Sequence, residues 1–274
     1  MGHVNVDLGP APAVHCVLLG GCVLLWILGV SIGLAGTYVP VSTQDGKHVY
    51  ALIEKSPKSR KGVVLVHGDG RSSADWAALE QRLAKSQMTA IAPDLRGHGR
   101  SVEGTPVAQD SDYLSMVYDV EASVAWLRTN GATEVSCVGA GLGANLCLAA
   151  AARDPSIVNL VLLSPGLNHH GVKASMDGYG DRPVLFVAST GDTYSAKTVA
   201  ILESKAIGQH HSEMYAGAAQ GTKMLSAEAS LEGTIVSWLL GTFELASGEL
   251  VLPKVDAGST QAIETSGQKL DVHR

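Results

Sequence analysis

Two apolar patterns alternate along most of the chain. Short uninterrupted runs, Gly62-Val63-Val64-Leu65-Val66, 89–92, 134–138, Ile157–Leu163 and 183–188, are the length and composition of strands buried on both faces. Between them, apolar residues recur every three or four positions, as at Trp76, Leu79 and Leu83, and predict helices over 76–85, 113–128, Leu142–Arg153, 198–204 and 225–240. Ahead of this alternation, 38–42 and His48–Glu54 flank Gln44-Asp45-Gly46, where Asp-Gly favours a hairpin turn. A last strand is predicted at 211–215. Strand and helix in repeated succession imply an α/β fold, a mostly parallel sheet covered by helices on both faces.

The N-terminal pattern is different. Residues 13–36 hold no Asp, Glu, Lys or Arg and are long enough to cross a bilayer as one helix. The stretch before them lacks the basic residues of a secretory signal. This predicts a transmembrane or signal-anchor helix, with a cleaved signal and a lipoprotein signal as alternatives. For the latter, Leu19-Gly20-Gly21-Cys22 resembles a bacterial lipobox, which makes Cys22 a candidate lipidation site. The organisation expected is a short flank over 1–12, the anchor over 13–36, a globular part over 37–245 and a polar tail over 246–274. That places the protein on a membrane, the bacterial inner membrane or cell envelope. Basic residues beginning at Lys47 favour a cytoplasmic domain by the positive-inside rule, and the lipobox resemblance favours export, so both orientations stay open.

Charge and cysteine usage narrow the chemistry. A net charge of −6, with 20 basic and 26 acidic residues dispersed along the chain, argues against a nucleic-acid partner. The one basic cluster, Lys55, Lys58, Arg60 and Lys61, reads as a solvated surface. The four cysteines form no CxxC, and the pairs His169-His170 and His210-His211 read as solvated loop histidines. No metal or cofactor is expected.

Several motifs stand in a set order: His67-Gly68, the run from Pro93-Asp94-Leu95-Arg96-Gly97-His98-Gly99 to Ser101, Val138-Gly139-Ala140-Gly141-Leu142-Gly143, Leu163-Ser164-Pro165-Gly166-Leu167, and Val187-Ala188-Ser189-Thr190-Gly191-Asp192. In these the chain resembles the α/β-hydrolase superfamily, in particular its small serine aminopeptidase-like and dienelactone-hydrolase-like bacterial members, over about residues 37–240. The resemblance implies an α/β-hydrolase fold with a minimal cap. It also implies a nucleophile at the centre of G-x-S-x-G, on a tight turn between strand and helix. That position is Gly141. The acid position falls on Asp192, and the histidine position, within Gly217-Ala218-Ala219-Gln220-Gly221-Thr222, falls on Gln220. The backbone N–H groups of Asp69 and Leu142 take the oxyanion-hole positions.

An amide side chain cannot accept a proton near neutral pH and return it, so two of the three triad roles are unfilled. Cys137 falls inside a strand, Ser164 reads as a supporting residue, and Asp94, Arg96 and His98 read as loop architecture. The expectation is therefore against serine-hydrolase turnover: a membrane-associated, non-catalytic homologue binding a small ligand or a protein partner. The alternatives are an active carboxylic-ester or peptide hydrolase with a non-standard site, and a structural subunit of a membrane or envelope complex.

Overall fold

The computed structural model describes residues 36–57, 59–102 and 110–243. Eight strands form one mixed sheet: β1 (Thr37–Ser42), β2 (His48–Glu54), β3 (Lys61–Val66), β4 (Met88–Pro93), β5 (Glu134–Ala140), β6 (Ile157–Leu163), β9 (Val184–Ser189) and β10 (His210–Tyr215). Between β6 and β9 a small separate hairpin pairs β7 (Asn168–His169) with β8 (Val172–Lys173). The order across the main sheet is β1-β2-β4-β3-β5-β6-β9-β10. The pairs β1/β2 and β2/β4 are antiparallel, and every pair from β4 to β10 is parallel.

Period-two alternation divides the core between the sheet's faces. Val63 and Leu65 of β3, with Val138 of β5 and Leu185 of β9, pack with α1 (Ala77–Lys85) and α7 (Leu231–Leu240) through Leu79, Leu83, Leu231 and Ile235. Their neighbours Val64, Val66, Cys137 and Phe186 face the other way. They pack with α3 (Val117–Thr129), α4 (Leu142–Arg153) and α5 (Thr193–Glu203) through Val120, Leu127, Leu146, Val199 and Leu202. Cys137 is thus a buried core thiol. Two short helices, α2 (Asp110–Ser115) and α6 (Lys223–Ala227), and two 3-10 turns, Ser73–Trp76 and Gly99–Ser101, complete the described elements.

Helix boundaries depart from the periodicity where local chemistry intervenes. The helix predicted over 113–128 is interrupted by a turn at Met116, whose side chain is sunk in the core. That predicted over 225–240 is broken where Glu228 takes an extended conformation. α5 starts earlier than predicted, because Asp192 caps it by accepting a hydrogen bond from Ser195 N through Oδ1 (3.2 Å). Its first turn, Thr193-Tyr194-Ser195, hides the apolar period. β10 begins at His210, one residue ahead of its predicted start, so the pair His210-His211 lies in the strand and not in a loop.

The loop after β4 is fixed by buried polar groups. Asp94 accepts from Ser73 N (2.7 Å) and Arg100 N (2.8 Å), while Arg96 pairs with Asp119 (2.7 Å) and reaches Asp45 in the first hairpin turn (2.6 Å).

The membrane expectation needs correction. Among the described residues no helix is long and apolar enough to cross a membrane. The anchor expected over 13–36, apart from Gly36, lies outside the described residues, as do the lipidation candidate Cys22, the tail over 246–274 and residues 103–109, within the stretch expected to form a minimal cap. A membrane partner, a membrane location and a fold built around a spanning helix therefore have no support in the structure.

Candidate active site

In an open α/β sheet the C-terminal strand ends converge on one edge, where ligands bind. Here that edge forms a cleft of about 310 Å³. It gathers Asp69 after β3, Gly141 and Leu142 after β5, Asp192 after β9 and Gln220 after β10. All five residues assigned site positions from the sequence thus line one cavity. Ser164, His169, Tyr194 and Lys223 line it too.

The turn between β5 and α4 depends on backbone proximity. A Cβ on Gly139 would lie 2.3 Å from Gly143 O, and one on Gly143 would lie 2.1 Å from Val66 O, so neither position admits a side chain without displacing backbone. Gly141 differs. Its φ of 55° lies in the region that favours glycine, and its N–H donates to Leu163 O (2.9 Å). A Cβ there would meet only Gly68 Cα, at 4.0 Å. The position has the backbone of a nucleophile turn and open space where a side chain would project. Leu142 opens α4, and its N–H is among the first-turn donors that a helix cannot satisfy internally.

The Asp69 carboxylate lies close to three side chains: His98 Nε2 (3.2 Å), Tyr113 Oη (3.4 Å) and His170 Nε2 (3.4 Å), with the Tyr113 ring stacked on His170. Burial pushes its pKa up, but hydrogen bonds and charge from His98 and His170 outweigh this and hold it below the ordinary carboxylate value. His67 locks the adjoining backbone, since Nε2 accepts from Leu95 N (3.0 Å) and Nδ1 donates to Gly68 O (2.7 Å). Burial drives its pKa down to about 4, which keeps it in the neutral form that this pair of bonds requires.

Asp192 is buried, and its two oxygens differ. Oδ1 caps α5, whereas Oδ2 is shut from solvent with no hydrogen-bond partner. The loop after β10 that faces it is pinned by Ser189 Oγ donating to Ala219 O (2.6 Å) and by Gly221 N donating to Ser164 Oγ (2.9 Å). Ser164 is therefore structural. The Gln220 side chain sits in this loop, exposed, and makes no hydrogen bond among the described residues.

One cleft residue was read differently from the sequence. His169 is not a solvated loop histidine: it sits half-buried in β7, edge-on to Tyr194 with ring centroids 6.5 Å apart. Its Nε2 is buried without a partner, and burial lowers its pKa. The stretch Ser164-Pro165-Gly166-Leu167-Asn168-His169 has no periodicity to reveal this. Its one signal is position, directly after a strand end at the sheet's functional edge. Buried Asn145 on α4 holds the segment, donating to Gly166 O (2.7 Å) and Val172 O (2.8 Å).

This sheet order, the β5–α4 turn and the cleft at the strand ends are those of the α/β-hydrolase fold. The sequence family described as serine aminopeptidase, S33, matches residues 57–193, half of the chain, and the chain belongs to that family. A thermostable monoacylglycerol lipase from a Bacillus species is 29% identical over 122 residues, 44% of this chain and 47% of the lipase. An uncharacterized Mycobacterium tuberculosis protein is 30% identical over 120 residues, 43% of this chain and 33% of that protein. The chain thus matches half or less of the length of these relatives.

Solved structures share the fold at low identity. The α/β hydrolase GrgF from a Penicillium species superposes with a TM-score of 0.64 at 13% identity, covering 76% of this chain and 99% of that one. An esterase from Pyrococcus furiosus gives 0.58 at 17% identity, covering 75% and 92%. At these identities the solved structures show the fold. Among the described residues no helix is long and apolar enough to cross a membrane, so the expectation of a membrane-associated homologue is not supported.

Proposed function

We propose that the protein hydrolyses carboxylic esters at this cleft, with a water molecule in place of a side-chain nucleophile. The observation that carries the reading is the pairing, within one cavity, of the open space at Gly141 with the buried, unpartnered Oδ2 of Asp192. In this reading the attacking water stands in the open space beside Gly141, and the Asp192 carboxylate, whose Oδ2 is shut from solvent, acts on it through its charge across the cleft. In this reading the Leu142 and Asp69 N–H groups receive the ester carbonyl oxygen and stabilise the charge it gains on attack. The Asp69 carboxylate, engaged by His98, Tyr113 and His170, is kept on its own partners.

Esters are favoured over peptides because an alkoxide or phenoxide leaves more readily than an amine. The similarity to a monoacylglycerol lipase supports the same class. Hydrolases deprived of triad members retain about 10³–10⁴-fold acceleration over water from oxyanion stabilisation and binding, and that is the range expected here.

The test is hydrolysis of p-nitrophenyl acetate and butyrate by the purified protein beside Asp192→Asn, which keeps the α5 cap acceptor. Turnover about 10³-fold above buffer that falls at least tenfold in the variant supports the reading. Rates equal to buffer, or indifferent to Asp192→Asn, overturn it.

A further inference from the structure

We infer that His169 is the proton carrier of the cleft, a role that rests on the hydrolase reading above and that Gln220 is chemically unable to fill. The site needs a group that changes protonation state near neutral pH. Of the side chains lining the cleft, only His169 belongs to the type that ordinarily does so. Its placement fits. The ring has no hydrogen-bond partner at either nitrogen among the described residues, which is unusual for a half-buried histidine outside a site where a ligand or substrate binds.

The ring's seat is built for it. A Cβ on Gly166 would come within 2.5 Å of His169 Nε2 and 2.8 Å of Tyr194 Cε1, so the ring in this seat lies against a bare glycine. Asn145 fixes the backbone on both sides, and Tyr194, whose hydroxyl is bonded to the Asn168 backbone (3.1 Å), braces one edge. With Nε2 closed off, the exchange is assigned to Nδ1.

The charged and titratable groups around the ring are few. Burial is the main influence on its pKa, lowering it; neighbouring His170 lowers it further, Asp69 opposes them, and the ring is neutral and ready to accept a proton at pH 7. In the reaction, the water oxygen bonds to the ester carbon as one water proton passes to Nδ1. The tetrahedral intermediate then collapses, the bond to the leaving oxygen breaks, and the proton returns from Nδ1 to that oxygen. One water is consumed, acid and alcohol are released, and His169 ends as it began.

The experiment compares the full-length protein with His169→Gln on p-nitrophenyl butyrate and on trifluoroethyl butyrate, a poorer leaving group, from pH 5 to 9. The expected result is a fall of about 10²-fold on the activated ester, a larger fall on the poorer one, and loss of the acid limb of the rate profile. A parent that turns over while His169→Gln stays within twofold, or keeps the same limb, overturns the assignment and leaves the hydrolase reading intact. A parent with no turnover overturns both. Should the variant fail to fold, NMR titration of the His169 ring in the parent decides: a midpoint matching the rate limb supports the assignment, and a different one overturns it.

Discussion

Adding a single Cβ to each glycine of the β5–α4 turn separates backbone crowding from backbone strain. At Gly143 the new methyl carbon would stand 2.1 Å from Val66 O and 2.6 Å from His67 O. An ordinary carbon–oxygen contact is about 3.3 Å, so α4 has to move away from β3 by about 1 Å. α4 carries buried Ala144, Leu146 and Ala150, and lifting it loosens a close-packed interface. A cost of about 3 kcal/mol or more follows for Gly143→Ala. Gly139→Ala presses on the same helix from β5, 2.3 Å from Gly143 O, so its cost is similar and, as both displace α4, the two do not add. Gly141→Ala meets nothing closer than 4.0 Å and bears only the penalty of its φ of 55°, about 1–2 kcal/mol. Urea unfolding of the three variants at unchanged m-value measures these differences. Equal costs at Gly141 and Gly143, or a Gly143→Ala cost below about 1 kcal/mol by the same measure, would refute the reasoning.

Other consequences concern buried polar groups. Burial, reinforced by the charge of Glu54, raises the Glu80 carboxyl pKa to about 8, so its contribution is fully present below pH 4.5 and is lost as pH rises through 8. The stability advantage of Glu80→Gln over the parent should grow by on the order of 4 kcal/mol between pH 5 and 9, and a flat difference contradicts this. His67 has the opposite sign: with its folded pKa near 4 against 6.5 in the unfolded chain, stability present above pH 6.5 is lost as pH falls through 4. Acid titration of unfolding should show a loss on the order of 3 kcal/mol that His67→Gln lacks. Asn145→Ala strips the donor from Gly166 O and Val172 O; thermal melts should show about 2–3 kcal/mol of destabilisation, and ester turnover should fall as the His169 segment loosens.

The sequence made the α/β core legible because runs buried on both faces, such as Val63-Val64-Leu65-Val66, leave little choice of structure. The glycine spacing 139-141-143 likewise announced a strand and helix in near contact. Chain order alone then brought Asp69, Gly141, Leu142, Asp192 and Gln220 to one edge. Illegible were features made by distant residues meeting without a periodic mark. Asp69 meets His98, Tyr113 and His170 from three different loops and helices, and His169 is seated by Asn145, a helix residue away in α4. Helix starts set by a cap, as at Asp192, were missed because first turns are polar. The apolar run over 13–36 permits a membrane helix by its length and lack of charge, and apart from Gly36 it lies outside the described residues.

The central claim is hydrolysis by water without a covalent intermediate, and rapid-mixing measurement of p-nitrophenolate release from p-nitrophenyl butyrate tests it most directly. The account predicts release that is linear from the first turnover, at about 10³ times the rate in buffer. A burst of one phenolate per chain would reveal an acyl-enzyme and a nucleophile elsewhere in the protein, and release at the buffer rate would mean that the cleft does not catalyse ester hydrolysis.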